Sequence, residues 1–238
     1  SEGLSVAIIE SNTVASGTTA TGMGHIVVMD DSEAQFALTN YSQTLWNDLA
    51  EKLPKSSEYE FCGTIWVASD DEEMREVKRK KDFYEKRDVQ TEILDEKSLR
   101  EAETNLREGL AGGLLVKSDS VVYQPCATKF FIEEAQKLGA KLFLGERLVQ
   151  VVERHLILEK STYIMAEKVV VAAGIWSKDL LKDLKIVKKK GHLIITERYP
   201  NFVQHQLVEL GYLKSAHKSE SDSVAFNVQP RITNQVLI

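Results

Sequence analysis

Cysteine, proline and long apolar segments are scarce in this sequence of 238 residues. Its two cysteines, Cys62 and Cys126, lack C-x-x-C spacing, so we expect them to be reduced and buried in a cytoplasmic protein. No apolar run approaches the roughly 20 residues that a membrane-spanning helix requires. These absences favour a cytoplasmic location and predict no transmembrane segment.

Basic residues are also outnumbered, with 30 Lys and Arg against 36 Asp and Glu, which gives a formal net charge of −6. Bulk electrostatics therefore disfavour nucleic acid as a partner. The five histidines have no spacing with another His, Cys or acid that a metal site requires, so no metal is predicted. Hydrophobic residues still make up 43% of the chain, which is enough to form a core.

The stretch Leu4–Ile26 organises the chain. Its apolar run Leu4–Ile9 is short and uninterrupted, which predicts a strand buried on both faces of a parallel sheet. The run ends at Glu10 and is followed by a loop of small residues and glycines. An acid at the carboxyl end of such a strand can accept hydrogen bonds from a ribose diol, and small residues let phosphates and flat rings approach the backbone. The simpler alternative is an exposed acid at the end of a strand.

The remaining pattern alternates helices and strands. Asp30–Ser32 predicts the cap of a long helix that Pro54 ends, with an apolar face formed by Ala34, Leu38, Tyr41, Leu45, Leu49 and Leu53. Further helices are predicted at 70–87, 97–103 and 127–138. Strands are predicted at 61–68, 89–94, 110–116, 121–123, 141–144, 168–174, 191–196, 206–210, 223–228 and 235–238. A three-stranded meander is predicted from 148–153, 155–158 and 162–165.

Several of these segments resemble the FAD-dependent D-amino-acid oxidase and glycine oxidase (DAO) family. The matching residues are the strand end Ile8-Ile9-Glu10, then Ala15–Thr19, Gly22-Met23-Gly24 and the segment VVVAAGIWS that begins at Val169. In that family a first strand and a G-x-G-x-x-G turn come before the matching strand, which would place them before Ser1. We therefore expect this chain to be a fragment that is truncated at both ends.

The resemblance implies an α/β fold with an α+β substrate part. An FAD-binding, Rossmann-like parallel sheet with a β-meander would be interleaved with a mixed-sheet substrate domain. The FAD-binding half would comprise residues 1–40 and 120–185, without its first strand and glycine fingerprint. The substrate half would comprise residues 41–119 and 186–238, and would also be incomplete.

The resemblance also assigns site residues. Those implied to contact FAD are Glu10, Ser11, Thr18, Thr19, Gly22, Met23, Gly24, Val149, Ala173 and Gly174. Those implied to face the substrate are Met23, His25 and Arg231. Arg231 would bind the substrate carboxylate, because a guanidinium pairs well with a carboxylate. The plainer interpretations are an ordinary turn at the threonines, a core methionine, a strand-core valine and a surface arginine.

The function implied is oxidation of a small amine or amino acid, such as glycine, a D-amino acid or sarcosine, by hydride transfer to flavin N5. FAD provides the electron sink, so no catalytic side chain is assigned. Versions that act on 2-hydroxy acids, glycerol phosphate or a modified transfer-RNA base stay open, as does a homo-oligomer. A non-catalytic fragment or subunit that cannot hold FAD alone is the alternative, and the meander disfavours an NAD dehydrogenase.

Overall fold

A computed structural model describes residues 3–160, 163–188, 190–211 and 226–238. The chain divides into two compact units. Unit 1 comprises residues 1–22 and 124–192, and unit 2 comprises residues 23–123 and 193–238. Parallel and mixed sheets combined with helices confirm the predicted α/β class. The assignment of a cofactor half and a substrate half with the boundaries given above stays a prediction.

The elements within the described residues are numbered in chain order. The α-helices are α1 (Glu33–Leu49), α2 (Asp71–Glu85), α3 (Glu96–Ala102), α4 (Gln124–Lys137) and α5 (Ser177–Leu180). The strands are β1 (Ala7–Glu10), β2 (His25–Ile26), β3 (Thr64–Ala68), β4 (Thr91–Asp95), β5 (Gly112–Val116), β6 (Ser120–Val121), β7 (Lys141–Leu144), β8 (Leu148–Val152), β9 (His155–Leu158), β10 (Tyr163–Met165), β11 (Gln206–Glu209), β12 (Asn227–Pro230) and β13 (Val236–Leu237). None of the helices in these ranges combines the length and the apolar character that crossing a bilayer would demand.

Unit 2 is built on a six-stranded sheet with the order β13-β12-β11-β3-β5-β4. Strand β3 is central, parallel to β11 and antiparallel to β5. Its side chains alternate between two apolar clusters, with Trp66 and Ala68 in one and Ile65 and Val67 in the other. Helix α2 contributes to the Trp66 cluster and α3 to the Ile65 cluster, so both faces of the sheet are covered.

Helix α1 begins where the sequence predicts, because the Ser32 hydroxyl accepts a hydrogen bond from the Gln35 amide at 3.2 Å. The predicted apolar face is wrong, however, since Leu38 is 68% exposed and Tyr41 is 63% exposed. The helix instead buries Phe36 and Gln43. Gln43 can be buried because its amide has polar partners inside unit 2, which apolar periodicity does not reveal.

Unit 1 contains a parallel pair, β1 and β7, and an antiparallel meander with the order β10-β9-β8. The meander confirms the sequence prediction, with Thr162 lying outside the described residues. Helix α4 connects unit 2 to β7, as predicted, although it begins a few residues earlier, at Gln124.

Two predicted buried strands differ in the structure. Strand β1 starts at Ala7, is only half-buried and leaves Leu4 exposed. Residues 168–174 form no strand, and Val170 is 89% exposed. A strand persists only where a neighbour pairs with its backbone, and the described part of the chain places β7 beside β1 and no strand beside 168–174.

The C-terminal predictions are partly realised. Strand β11 is confirmed, whereas the predicted strand at 191–196 contributes only a single bridge between Ile195 and Leu237. Residues 223–225 of the predicted strand 223–228 lie outside the described residues, and β12 covers its last positions and continues to Pro230.

Candidate functional site

Glu10 is the last residue of β1, at its carboxyl end, as the sequence predicts. One oxygen of its carboxylate accepts a hydrogen bond from the Asn12 amide at 2.7 Å. Among the described residues this is the one hydrogen bond that its side chain forms. The carboxylate is half-buried and keeps acceptor capacity for a further donor such as a sugar hydroxyl.

Residues 145–149 of unit 1 include one predicted cofactor position, Val149, and contact two others, Glu10 and the turn that begins at Gly174. The Glu146 amide donates to the Glu10 carbonyl at 3.1 Å. The Arg147 guanidinium binds Asp179 at 3.0 Å and lies 5.6 Å from the Trp176 ring, in the turn that begins at Gly174. Val149 lies at a register shift of β8, opposite no residue of β9, and is exposed. Glu10, Val149 and the Gly174 turn therefore lie around the same five residues.

Small residues leave space at the turn that follows 168–172. Gly174 has a φ of +54°, and a Cβ placed there would meet no atom within 4 Å. Ala173 and Gly174 are both exposed. This backbone is open to a ligand, although the sheet strand expected to lead into it is absent.

The loop between β1 and unit 2 is also lined by small residues. Ala15 and Gly17 have positive φ angles of 63° and 65°, and residues 17–21 form a 3₁₀ turn. The hydroxyls of Thr18 and Thr19 form no hydrogen bond with any described residue. Neither does Ser11, apart from a long contact of 3.5 Å from the Asn12 side chain. These hydroxyls remain available as donors, as a diphosphate or ribityl contact would require.

Gly22 is the point at which this loop reaches α4. A Cβ at this position would lie 2.7 Å from the Gln124 Nε2 atom, closer than side chains approach one another. A larger residue here would make the flexible Gln124 side chain shift, so the packing of the loop against α4 favours glycine independently of FAD.

Met23, Gly24 and His25 belong to unit 2. The Val122 amide donates to the Gly24 carbonyl at 2.9 Å, and His25 pairs with Val121 in the β2–β6 ladder. Burial lowers the pKa of His25 to about 4, so its imidazole is neutral at pH 7. Its Nε2 atom is buried and has no hydrogen-bond partner in the described ranges. Met23 is half-buried.

Arg231 is already engaged by residues that the sequence analysis did not single out. Its Nε donates to Glu58 at 2.9 Å, its Nη2 donates to the other oxygen of the same carboxylate, and its guanidinium lies 4.5 Å from the Tyr123 ring centre. The Arg231 and Glu58 side chains are only 11% and 12% exposed. Glu58 has a left-handed conformation with a φ of +46°, which no local sequence signal indicates.

The chemistry of unit 1 fits part of FAD. Glu146 Oε2 is buried without a hydrogen-bond partner among the described residues, and the Glu146 amide binds the carbonyl of Glu10. The half-buried Glu10 carboxylate, with acceptor capacity left, suits the hydroxyls of a ribose. The sequence contains no G-x-G-x-x-G pattern, so these residues match the sugar-binding part of a nucleotide cradle rather than its pyrophosphate fingerprint.

Solved structures of several oxidases and dehydrogenases share this fold. Glycine oxidase from Geobacillus kaustophilus matches with a TM-score of 0.81 and 21% identity over 98% of this chain and 63% of that chain. L-proline dehydrogenase from P. horikoshii matches with a TM-score of 0.82 and 19% identity over 99% of this chain and 63% of that chain. L-alpha-glycerophosphate oxidase from Mycoplasma pneumoniae, with FAD bound, matches with a TM-score of 0.79 and 14% identity over 98% of this chain and 64% of that chain.

These likenesses show that the chain shares the fold of these proteins. The sequence model of the DAO family, described as FAD dependent oxidoreductase, matches residues 1–238, and the chain belongs to that family. This confirms the resemblance noted in the sequence and FAD as the cofactor. A search of curated proteins found no match. The chain spans less than two thirds of the length of the glycine oxidase and the proline dehydrogenase.

Proposed function

We propose that the intact protein oxidises a small amine or amino acid, such as glycine, a D-amino acid or sarcosine, with FAD as the electron acceptor. Family membership and the neighbours named as glycine oxidase and L-proline dehydrogenase support this proposal. The observation that carries it is that residues 145–149, which include Val149, contact both Glu10 and the turn that begins at Gly174.

In this proposal, the residues of unit 1 hold the cofactor. Glu10 accepts hydrogen bonds from the ribose, Ser11, Thr18 and Thr19 offer hydroxyls to the diphosphate and ribityl region, and Ala173 and Gly174 leave room for the backbone to touch the ligand. When bound, FAD supplies the electron sink at flavin N5 for the hydride that leaves the substrate carbon. No side chain is assigned as an acid or base.

In unit 2, Met23 and His25 would face the substrate, and the neutral imidazole of His25 would add no charge to the pocket. Arg231 would bind the substrate carboxylate through its Nη1–Nη2 edge, which faces away from Glu58. That edge keeps N–H groups without partners among the described residues, while Glu58 holds the guanidinium plane over Tyr123. Glu58 also offsets the positive charge, so the carboxylate would be held mainly by hydrogen bonds.

A Glu10→Gln variant of the intact protein tests the cofactor part of the proposal. We expect FAD affinity to fall by about tenfold or more, because a hydrogen bond to a charged acceptor contributes about 1.5–3 kcal/mol. The readout is the dissociation constant from flavin fluorescence. Glu133→Gln, at an exposed position of α4 that pairs with Lys129, is the matched control. Equal affinities for both variants would remove Glu10 from the ribose site.

Arg231→Lys tests the substrate part, because it keeps the charge opposite Glu58 while removing the planar fork. We expect the KM for amino acids to rise about tenfold or more while simple amines without a carboxylate are unaffected. Arg75→Lys, at an exposed position of α2, is the control. An unchanged KM in a folded, flavin-loaded Arg231→Lys variant would exclude a carboxylate-binding role.

The alternative is a non-catalytic piece or subunit that cannot hold FAD alone. The irregular, exposed segment 168–174 favours it for the isolated chain, since the strand that should lead to the cofactor is not formed. A visible spectrum of the purified 238-residue chain after incubation with FAD separates the two. Flavin bands that survive gel filtration support cofactor binding by this chain, and a colourless protein supports the alternative. Cytoplasmic location and self-association remain predictions, which fractionation and light scattering would test.

A further inference from the structure

Asp119 has a fully buried carboxylate in the turn between β5 and β6. Its Oδ1 atom accepts hydrogen bonds from the Val28 amide at 3.2 Å and from the Gln43 side-chain amide at 3.1 Å. Its own carbonyl accepts from the Gly63 amide at 2.9 Å, which fixes the turn against the start of β3. The carboxylate is thus held by the large sheet and in turn holds the backbone at Val28.

The segment that precedes Val28 is held by further hydrogen bonds. The Gln43 amide that binds Asp119 also donates to the Ile26 carbonyl at 3.4 Å. The Val122 amide donates to the Gly24 carbonyl, and β2 pairs with β6. Residues 24–28 are therefore fastened by residues 119–122 and by one side chain of α1, and Asp119 is the group that joins these two supports.

We propose that Asp119 is a positioning residue that fixes residues 23–28, and with them Met23 and His25, which the proposed function assigns to the substrate. This inference rests on the function proposed above. Asp119 touches neither substrate nor cofactor in this account. It acts through the backbone that it binds, and so its effect should appear in substrate affinity and in the mobility of residues 23–28.

A carboxyl group buried at this position is costly, which argues that its contacts with Val28 and Gln43 have a use. The Oδ2 atom is buried and has no hydrogen-bond partner among the described residues. Burial raises the pKa of Asp119 to about 7, against the nearby Thr64 hydroxyl, the Val28 and Gln43 amides and the Lys80 charge, which lower it. Tyr84 and Cys62 are the other ionisable groups whose charge couples to Asp119. Because burial raises this pKa, the buried arrangement favours the protonated group, and deprotonation above neutral pH would loosen residues 24–28.

The test compares Asp119→Asn and Gln43→Met with the control Asp48→Asn, an exposed position of α1, in the intact flavin-loaded protein. Hydrogen exchange of the peptide 23–30 should accelerate about tenfold in Gln43→Met, which loses both hydrogen bonds of the Gln43 amide, and should be unchanged in the control. Asp119→Asn keeps an oxygen that accepts from Val28 and Gln43 but cannot ionise, so it should remove the dependence of this exchange on pH. We expect the KM of Gln43→Met to rise in parallel with its exchange, with little change in kcat. The wild-type KM should shift between pH 6 and 8, and this shift should disappear in Asp119→Asn.

Two results would overturn the proposal. One is a folded, flavin-loaded Gln43→Met protein whose exchange and KM equal those of the wild type. The other is faster exchange with an unaltered KM and an unaltered pH profile, which would leave Asp119 a purely structural role. Failure of the proposed function would look different, because the wild type would then oxidise no amino acid. In that case, the hydrogen exchange of residues 23–30 and the flavin absorbance maximum would still be compared between the wild type and the variants. A difference in these two readouts would support the positioning role of Asp119 without reference to amino acid oxidation.

Discussion

The ion pair between Lys80 and Asp30 is the most deeply buried charge interaction in unit 2 among the described residues. The side chains of Lys80 and Asp30 are 1% and 2% exposed. The ammonium group also lies 4.2 Å from the centre of the Trp66 ring. Arg79 binds the second oxygen of Asp30 at 2.8 Å, and the Tyr84 hydroxyl approaches the first at 3.5 Å.

Lys80→Met would remove the charge while keeping a side chain of similar length over Trp66. Breaking a buried pair by deleting one partner costs about 3–5 kcal/mol, because the other charge stays buried without compensation. Arg79 still neutralises part of Asp30, which lowers the cost, whereas the lost cation–π contact adds about 1 kcal/mol. We therefore expect the free energy of unfolding to fall by about 3 kcal/mol.

Urea titration followed by tryptophan fluorescence measures this change. Lys97→Met is the control, because Lys97 is exposed and its contact with Glu101 is 3.7 Å long, so less than about 0.5 kcal/mol should be lost. The double variant Lys80→Met with Asp30→Asn should recover part of the stability, because the Asp30 carboxylate that Lys80→Met leaves without its partner is then also removed. A loss below about 1 kcal/mol for Lys80→Met would refute the argument from burial.

Three further predictions concern unit 2, and urea titration measures each. Gly112→Ala should lower the free energy of unfolding by about 3 kcal/mol, since its Cβ would lie 2.3 Å from the Leu94 carbonyl oxygen at a φ of +145°. Gly109→Ala, at a φ of +75° and with no atom within 4 Å of the added Cβ, should lower it by about 1 kcal/mol. Ser32→Ala should cost about 1 kcal/mol through the lost cap of α1. The pKa of Asp119 rises from 3.8 to about 7 on folding, so the folded state holds the extra proton and the free energy of unfolding should fall as pH rises between these values. Asp119→Asn should remove that slope; an unchanged slope would contradict the assignment.

Local signals in the sequence predicted much of the fold. The cap at Ser32, the apolar strand around β3 and the meander all depend on residues close together in the chain, and the structure contains them. The position of Glu10 at a strand end also follows from local pattern. These elements could be predicted because the capping residues or the hydrophobic pattern that specify each of them lie within about ten residues of one another.

The errors came from partners that are distant in sequence. The buried face of α1 depends on Gln43 meeting Asp119, which is 76 residues away. The pairing of Arg231 with Glu58 spans 173 residues, and so no pattern near Arg231 could reveal this ion pair, although the role of Arg231 at the substrate stays a prediction. The apolar run 168–174 has the composition of a sheet strand, but composition cannot provide a neighbouring strand.

The unpaired state of residues 168–174 has a practical consequence for handling this polypeptide. Three consecutive valines and two alanines with little charge form a segment that readily adds to any free strand it meets, including the same segment of another molecule. Expression of residues 1–238 alone should therefore favour insoluble aggregates. A peptide of complementary strand sequence, supplied in trans, should restore solubility by occupying that backbone.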